Sequence, residues 1–92
     1  PVGTVQQVLA ALADPVRLEM VRRLSAEGGP VACALLYDDI SKSTASHHFK
    51  ILREAGVTER VVVGGHTHQL LRTAALDEAL PGVVPAVVAA AG

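Results

Sequence analysis

The sequence predicts a mainly α domain: four helices, then a β-hairpin, then a last helix (α-α-α-α-β-β-α). Three observations carry that reading. Helix start and stop signals recur at helical distances from Thr4 to Gly56, with apolar residues every three or four positions between them. Two runs suited to strands, Thr58 to Val63 and His66 to Arg72, flank Gly64-Gly65, the signal of a tight two-residue turn. From Ala75 to Ala91 the spacing becomes helical again.

Thr4-Val5-Gln6-Gln7 reads as a capping box, Thr at the N-cap and Gln at the third helical position. The first helix then runs over about 4–13 with Val5, Val8, Leu9 and Leu12 as its apolar stripe. Asp14-Pro15 restarts the helix, since proline at the first position needs no amide. The second helix, about Pro15 to Ala26, buries Val16, Met20, Val21 and Leu24. Its Arg17, Arg22 and Arg23 form either a solvated face that pairs with Glu19 and Glu27, or a phosphate-touching group. Glu27-Gly28-Gly29-Pro30 ends it, a short third helix is predicted over about Val31 to Tyr37, and Asp38-Asp39-Ile40 forms a turn and cap. The last apolar stripe is Leu76, Leu80, Val84, Val87 and Val88. Pro81 and Pro85 argue for a short turn followed by a helix starting near Pro81 or Gly82.

The fourth helix is the most informative. Ser41 is placed to cap it, and Gly56 suits the left-handed residue beyond its end, followed by the apolar Val57. At about 100° per residue, Lys42, Ser43, Ser46, His47, Lys50, Arg53 and Glu54 share one arc, while Thr44, Ala45, His48, Phe49, Ile51, Leu52 and Ala55 share the other. Short donors and acceptors near the N-terminus with cations further along suit a helix that reads base edges and meets phosphates. His47 lies on the reading arc; His48 lies on the apolar arc and is expected to be a buried, hydrogen-bonded structural histidine.

Ninety-two residues make one small domain, and half of them are hydrophobic although Phe and Tyr occur once each and Trp is absent. That is more apolar surface than a compact monomer of this size easily hides, which predicts self-association. No run of about 18 apolar residues argues for a membrane span, no leader with a cleavage site opens the chain, and one cysteine forms no internal disulfide. These features predict a cytoplasmic protein away from membranes, and the start at Pro1 suggests trimming. A net charge of −1 works against duplex binding, which is largely phosphate neutralisation. Its distribution works for it: Lys42, Lys50, Arg53 and Arg60 face only Glu54 and Glu59 nearby, whereas the last twenty residues carry Asp77 and Glu78 and no cation. No Ser/His/Asp set, phosphate loop or paired carboxylates can be named, so neither an enzyme nor a cofactor is expected.

Four helices and a hairpin, with short polar residues on the fourth helix, form the winged helix-turn-helix arrangement. Leu12-Ala13-Asp14-Pro15-Val16-Arg17-Leu18 resembles the LADPxRL-type signature of the ArsR/SmtB family of bacterial transcriptional regulators. Ser43 to Gly56 resembles that family's recognition helix, SxxxSxHLxxLxxAGL, and the resemblance covers about Val5 to Arg72. It implies a single domain with its helix-turn-helix at about 31–56 and its wing at about 58–72. It further implies a homodimer on double-stranded operator DNA, a repressor by analogy. Terminal helices about 4–13 and 76–91 would form the interface through Val5, Val8, Leu9, Leu12, Leu80, Val84, Val87 and Val88. Lys42, Ser43, Ser46 and His47 would touch bases, Lys50 and Arg53 phosphates, and the wing tip around Val63 to His66 the minor groove.

The chain departs from the family twice. Wings commonly carry arginines, whereas this tip is Val-Gly-Gly-His. Metal-sensing relatives use a Cys-x-Cys pair or Asp, His and Glu ligands on the last helix; here only Cys33 stands in the third helix, and nothing after Glu78 can ligate. Three or four convergent donors are needed for a transition metal, so no metal site is expected and any effector is an unknown small molecule. His66 and His68, two apart on a strand, have a spacing that can hold a metal but lack a third ligand, which favours a solvated wing. Cys33 reads as a small core residue or a redox-responsive thiol. Two alternatives stay open: a metal- or redox-responsive sensor using Cys33 or the wing histidines, and a dimerisation module without DNA binding.

Overall fold

The computed structural model describes residues 1–92. Helices α1 (Val5–Leu12) and α2 (Pro15–Glu27) lead into a two-residue strand β1 (Val31–Ala32) and one 3-10 turn (Cys33–Leu35). Helix α3 (Lys42–Glu54), strands β2 (Thr58–Val63) and β3 (His66–Leu71), and helices α4 (Thr73–Ala79) and α5 (Val83–Ala91) complete the chain.

The start signals act as their chemistry requires. Thr4 accepts from the Gln7 amide at 3.1 Å, and Asp14 Oδ2 accepts from the amides of Val16 and Arg17 at 2.8 and 3.0 Å. Ser41 Oγ accepts from the Thr44 amide at 3.1 Å. The Gln7 side chain, however, does not close a capping box: its Nε2 donates to Glu54 O, 3.3 Å away on α3. At the far end of α3, Gly56 is left-handed at φ 76°. A Cβ there would sit 2.5 Å from Pro1 O, so both backbone and space require glycine.

The predicted third helix is replaced by a strand and a single 3-10 turn. Gly28, Gly29 and Pro30 deliver Val31 in an extended state, and β3 offers an unpaired edge that Val31 and Ala32 fill, opposite Gln69 and His68. Only Cys33 to Leu35 then remains to coil, closed by the Leu36 amide on Cys33 O at 3.1 Å. The sheet is therefore three-stranded and antiparallel, in the order β1-β3-β2. The Gly64-Gly65 turn has φ 57° and 80°, positive at both central residues as a tight hairpin turn demands.

The C-terminal segment also differs in part. The residues before Leu80 form a helix, α4, and α5 is bent 115° away from it. Pro85 is the third residue of α5, inside the first turn where amides have no helical partner. No single helix is long and apolar enough to cross a membrane.

One core joins all the helices: Val8, Ala11 and Leu12 of α1, Met20, Val21 and Leu24 of α2, Ala45, Phe49 and Leu52 of α3, with Leu36, Leu76 and Val84. Val8, Leu12 and Val84, expected at a dimer interface, are buried within the chain itself, because α1 and α5 need them to seal this core. Val5 and Leu9 are 37% and 44% exposed, and Leu80, Val87 and Val88 are half-buried. Thr58 Oγ1 and Gln69 Oε1 are buried without a hydrogen-bond partner.

Candidate nucleic-acid interface

Helix α3 sorts its side chains as its periodicity predicts, with one exception. Ala45, Phe49, Leu52 and Ala55 are buried, Lys42, Ser43, Ser46, His47 and Lys50 are exposed, and Thr44 is exposed because its hydroxyl accepts from the capping Ser41 at 2.9 Å. Facing α3 across a cleft of about 600 Å³ stands the hairpin. Lys42, Ser46 and Arg53 line it on one side and Arg60, His66 and Thr67 on the other, with Cys33 and Tyr37 at its end. The structure thus gathers four of the predicted residues, Lys42, Ser46, Arg53 and His66, into one cleft. Ser43, His47 and Lys50 lie on the same helix outside it. Arg60 and Thr67 are lining residues that the motif did not single out; the signal for Arg60 was its place on β2, beside the basic helix in sequence.

Electrostatics distinguishes this face from the rest of the molecule. Of eight Lys and Arg residues, four are tied down elsewhere. Arg17 holds the carbonyls at the end of α1, Arg72 donates to Gly56 O at 3.1 Å, and Arg22 and Arg23 converge on Glu19 at 2.6 and 2.8 Å. Arg23 also pairs with Asp38. Three hydrogen bonds from the Arg22 and Arg23 guanidiniums pull the Glu19 carboxyl pKa down to about 2. The remaining four, Lys42, Lys50, Arg53 and Arg60, make no ion pair, and all lie on α3 and β2. No carboxylate lines the cleft. The net charge of −1 therefore conceals a face of unpaired cations.

The expected pairing of α2 arginines with Glu19 is present, on partly exposed side chains, but the group is more firmly held than a solvated face. Glu27 pairs with none of them, Arg17 binds backbone carbonyls, and Arg23 binds a carbonyl as well as two carboxylates. His48 is 13% exposed in its side chain, with Nδ1 3.1 Å from Arg17 Nη1. Cys33 is half-buried and its Sγ accepts from Gln69 Nε2 at 3.6 Å. His68 turns Nδ1 to the His66 carbonyl at 2.9 Å, and no three His, Cys, Asp or Glu side chains converge on a point.

Residues 12–61, more than half of the chain, match the family model described as "Helix-turn-helix domain". The chain belongs to the helix-turn-helix family, in its ArsR-type winged form. It is 37% identical over 78 residues to an uncharacterized HTH-type transcriptional regulator, YceK, of Bacillus subtilis, covering 83% of this chain and 78% of that protein. A second such regulator, MJ1325 of Methanocaldococcus jannaschii, is 36% identical over 55 residues, 58% of this chain and 61% of the other. Among solved structures, the transcriptional repressor BigR from Xylella fastidiosa superposes with a TM-score of 0.70 at 26% identity, covering 94% of this chain and 84% of that one. An ArsR family transcriptional regulator, RHA00566, shares the fold at TM-score 0.65 and 22% identity, over 98% of this chain and 87% of its own. This helix-turn-helix protein is a DNA-binding transcriptional regulator, and the matched segment includes all of α3.

Proposed function

We propose that this regulator is a dimeric repressor that blocks a promoter by placing two α3 helices in successive major grooves, without a metal to release it. The carrying observation is that every Lys or Arg side chain with neither an ion pair nor a hydrogen bond lies on α3 or β2. Lys42, Ser43, Ser46 and His47 read base edges. Lys50, Arg53 and Arg60 meet phosphates, and His66 stands at the wing. Dimerisation falls to the exposed stripe of α1, Val5 and Leu9, with Leu80, Val87 and Val88 at the other terminus; neither α1 nor α5 contains a charged residue. Repression is supported by the solved relative, itself named a repressor. Action on a bacterial promoter places the protein in the cytoplasm.

Selection of bound duplexes from a random pool, followed by footprinting, tests the reading. The expected footprint is two half-sites about one helical turn apart. Affinity should fall with salt and be lost in Ser46→Ala/His47→Ala. A protein that binds no duplex at low salt would instead be a dimerisation module. Light scattering reports the dimer, and a zinc titration by calorimetry should give no heat of binding.

A further inference from the structure

The polar group least accounted for by DNA contact is the one beneath α3, where three helices meet. Arg17 sends Nε to Ala11 O at 2.6 Å, a carbonyl in the last turn of α1, and Nη2 to Ala10 O at 3.5 Å, which also accepts from the Ala13 amide at 3.3 Å. Its Nη1 lies 3.1 Å from His48 Nδ1 on α3. A guanidinium can only donate, so Nδ1 is the acceptor and the imidazole proton sits on Nε2. Asp14 closes the group: the oxygen that caps α2 lies 3.9 Å from the same Nδ1. Burial opposes ionisation of this carboxyl, but the amides of Arg17 and Val16 outweigh it and hold it below the usual range. The neighbouring His47 ring has its centroid 6.1 Å from that of His48, and α1 supplies carbonyls and no titratable side chain.

The geometry points to a latch: Arg17, held by α1 and α2, fixes the rotation of α3 through His48, which makes Arg17 and His48 positioning residues for base reading. His48 is the chain neighbour of His47 and two residues from Ser46. Turning α3 about its axis to free His48 would move both reading side chains away from the bases. A planar fork with two arms on the α1 carbonyls and a third on Nδ1 sets a direction that a flexible ammonium cannot set. The inference rests on α3 being the reading helix, and it adds the element that aims it.

The test uses the full chain with two probes, a duplex selected from the random pool and an unrelated duplex of equal length. Arg17→Lys and His48→Leu should each lower the ratio of selected to unrelated binding about tenfold, through loss of the selected complex alone. His48→Asn sets an amide oxygen near the place of Nδ1 and should restore the ratio to within about threefold. Retention of the ratio by His48→Leu, or equal losses in His48→Leu and His48→Asn, would overturn the latch. Should Arg17→Lys fail to fold, the two His48 variants decide. Nitrogen-15 spectra of the imidazoles, recorded without DNA, should show His48 with its proton on Nε2; a proton on Nδ1 in the neutral ring removes the latch whatever the DNA result. A wild-type chain that binds neither duplex sinks the DNA reading instead, and the tautomer is then the deciding measurement for the latch.

Discussion

Helix α2 and helix α3 are each 13 residues long and both carry basic side chains, yet their cations live differently. On α2, Arg17, Arg22 and Arg23 all have fixed acceptors: carbonyls of α1, the shared Glu19, Asp38 and Leu35 O. On α3, Lys42, Lys50 and Arg53 have no carboxylate partner, and Arg60 across the cleft has none either. Charge on α2 holds the scaffold together. Charge on α3 is left unpaired, as the proposed phosphate contacts require. The difference comes from neighbours rather than from residue type: Glu19 stands three and four positions before Arg22 and Arg23, a spacing that brings opposite charges together on a helix.

The largest expected effect breaks the comparison on the α3 side. Replacing Lys50, Arg53 and Arg60 together by Gln should weaken DNA binding on the order of a hundredfold at moderate salt, and flatten the salt dependence by roughly 0.9 per lost phosphate contact. Fluorescence anisotropy over a salt series measures both, with the melting temperature nearly unchanged. The matched substitution on α2, Arg22→Gln with Arg23→Gln, should leave binding within about twofold, since neither side chain reaches the cleft.

Smaller effects sharpen the α2 side. Asp14→Ala removes the acceptor of two helix amides, and should cost about 1–2 kcal/mol of stability by chemical denaturation. On the hairpin, Thr58→Val removes a buried hydroxyl without a partner, and should raise stability by about 1 kcal/mol while leaving the slope of denaturation unchanged. The smallest effect is a pH dependence. Glu19 is held at about 2, below its ordinary 4.5, so its contribution is present above 4.5 and fades as pH falls through about 2. With 38% of the side chain exposed, that contribution stays below about 1 kcal/mol. In Arg22→Gln/Arg23→Gln the stability difference from wild type should shrink between pH 5 and pH 2, as followed by circular dichroism.

Most of the backbone was legible because its signals are local. Thr4, Asp14 and Ser41 each announce a cap, and each accepts the amide that its position predicts. Gly64-Gly65 announces the turn of the hairpin. The segment Val31 to Tyr37 was misread as a helix because its fate depends on β3, some 37 residues away in sequence: Val31 and Ala32 pair with Gln69 and His68. The candidate site was legible where it follows helical period, at Lys42, Ser46, Lys50 and Arg53. Arg60 was legible only as one of the basic residues near α3; its place in the cleft with Arg53 is a product of the hairpin folding back against α3. His48 is legible as a hydrogen-bonded histidine of the apolar arc, but its partner Arg17, which comes from α2, is not. A guanidinium that reaches three helices leaves no trace in the spacing of any one of them.

The short strand β1 has a mechanical consequence. It pairs with β3 only at His68 and Gln69, so the root of the wing is clamped between β1 and β2. Beyond that clamp, Val62 to Thr67 project as a two-stranded cantilever ending in two glycines. A load applied at the tip bends the free span at one fixed fulcrum, and what reaches the root is passed through β1 to the 3-10 turn and the start of α3. Wing and α3 therefore lie on either side of one mount, the short strand and the turn that follows it.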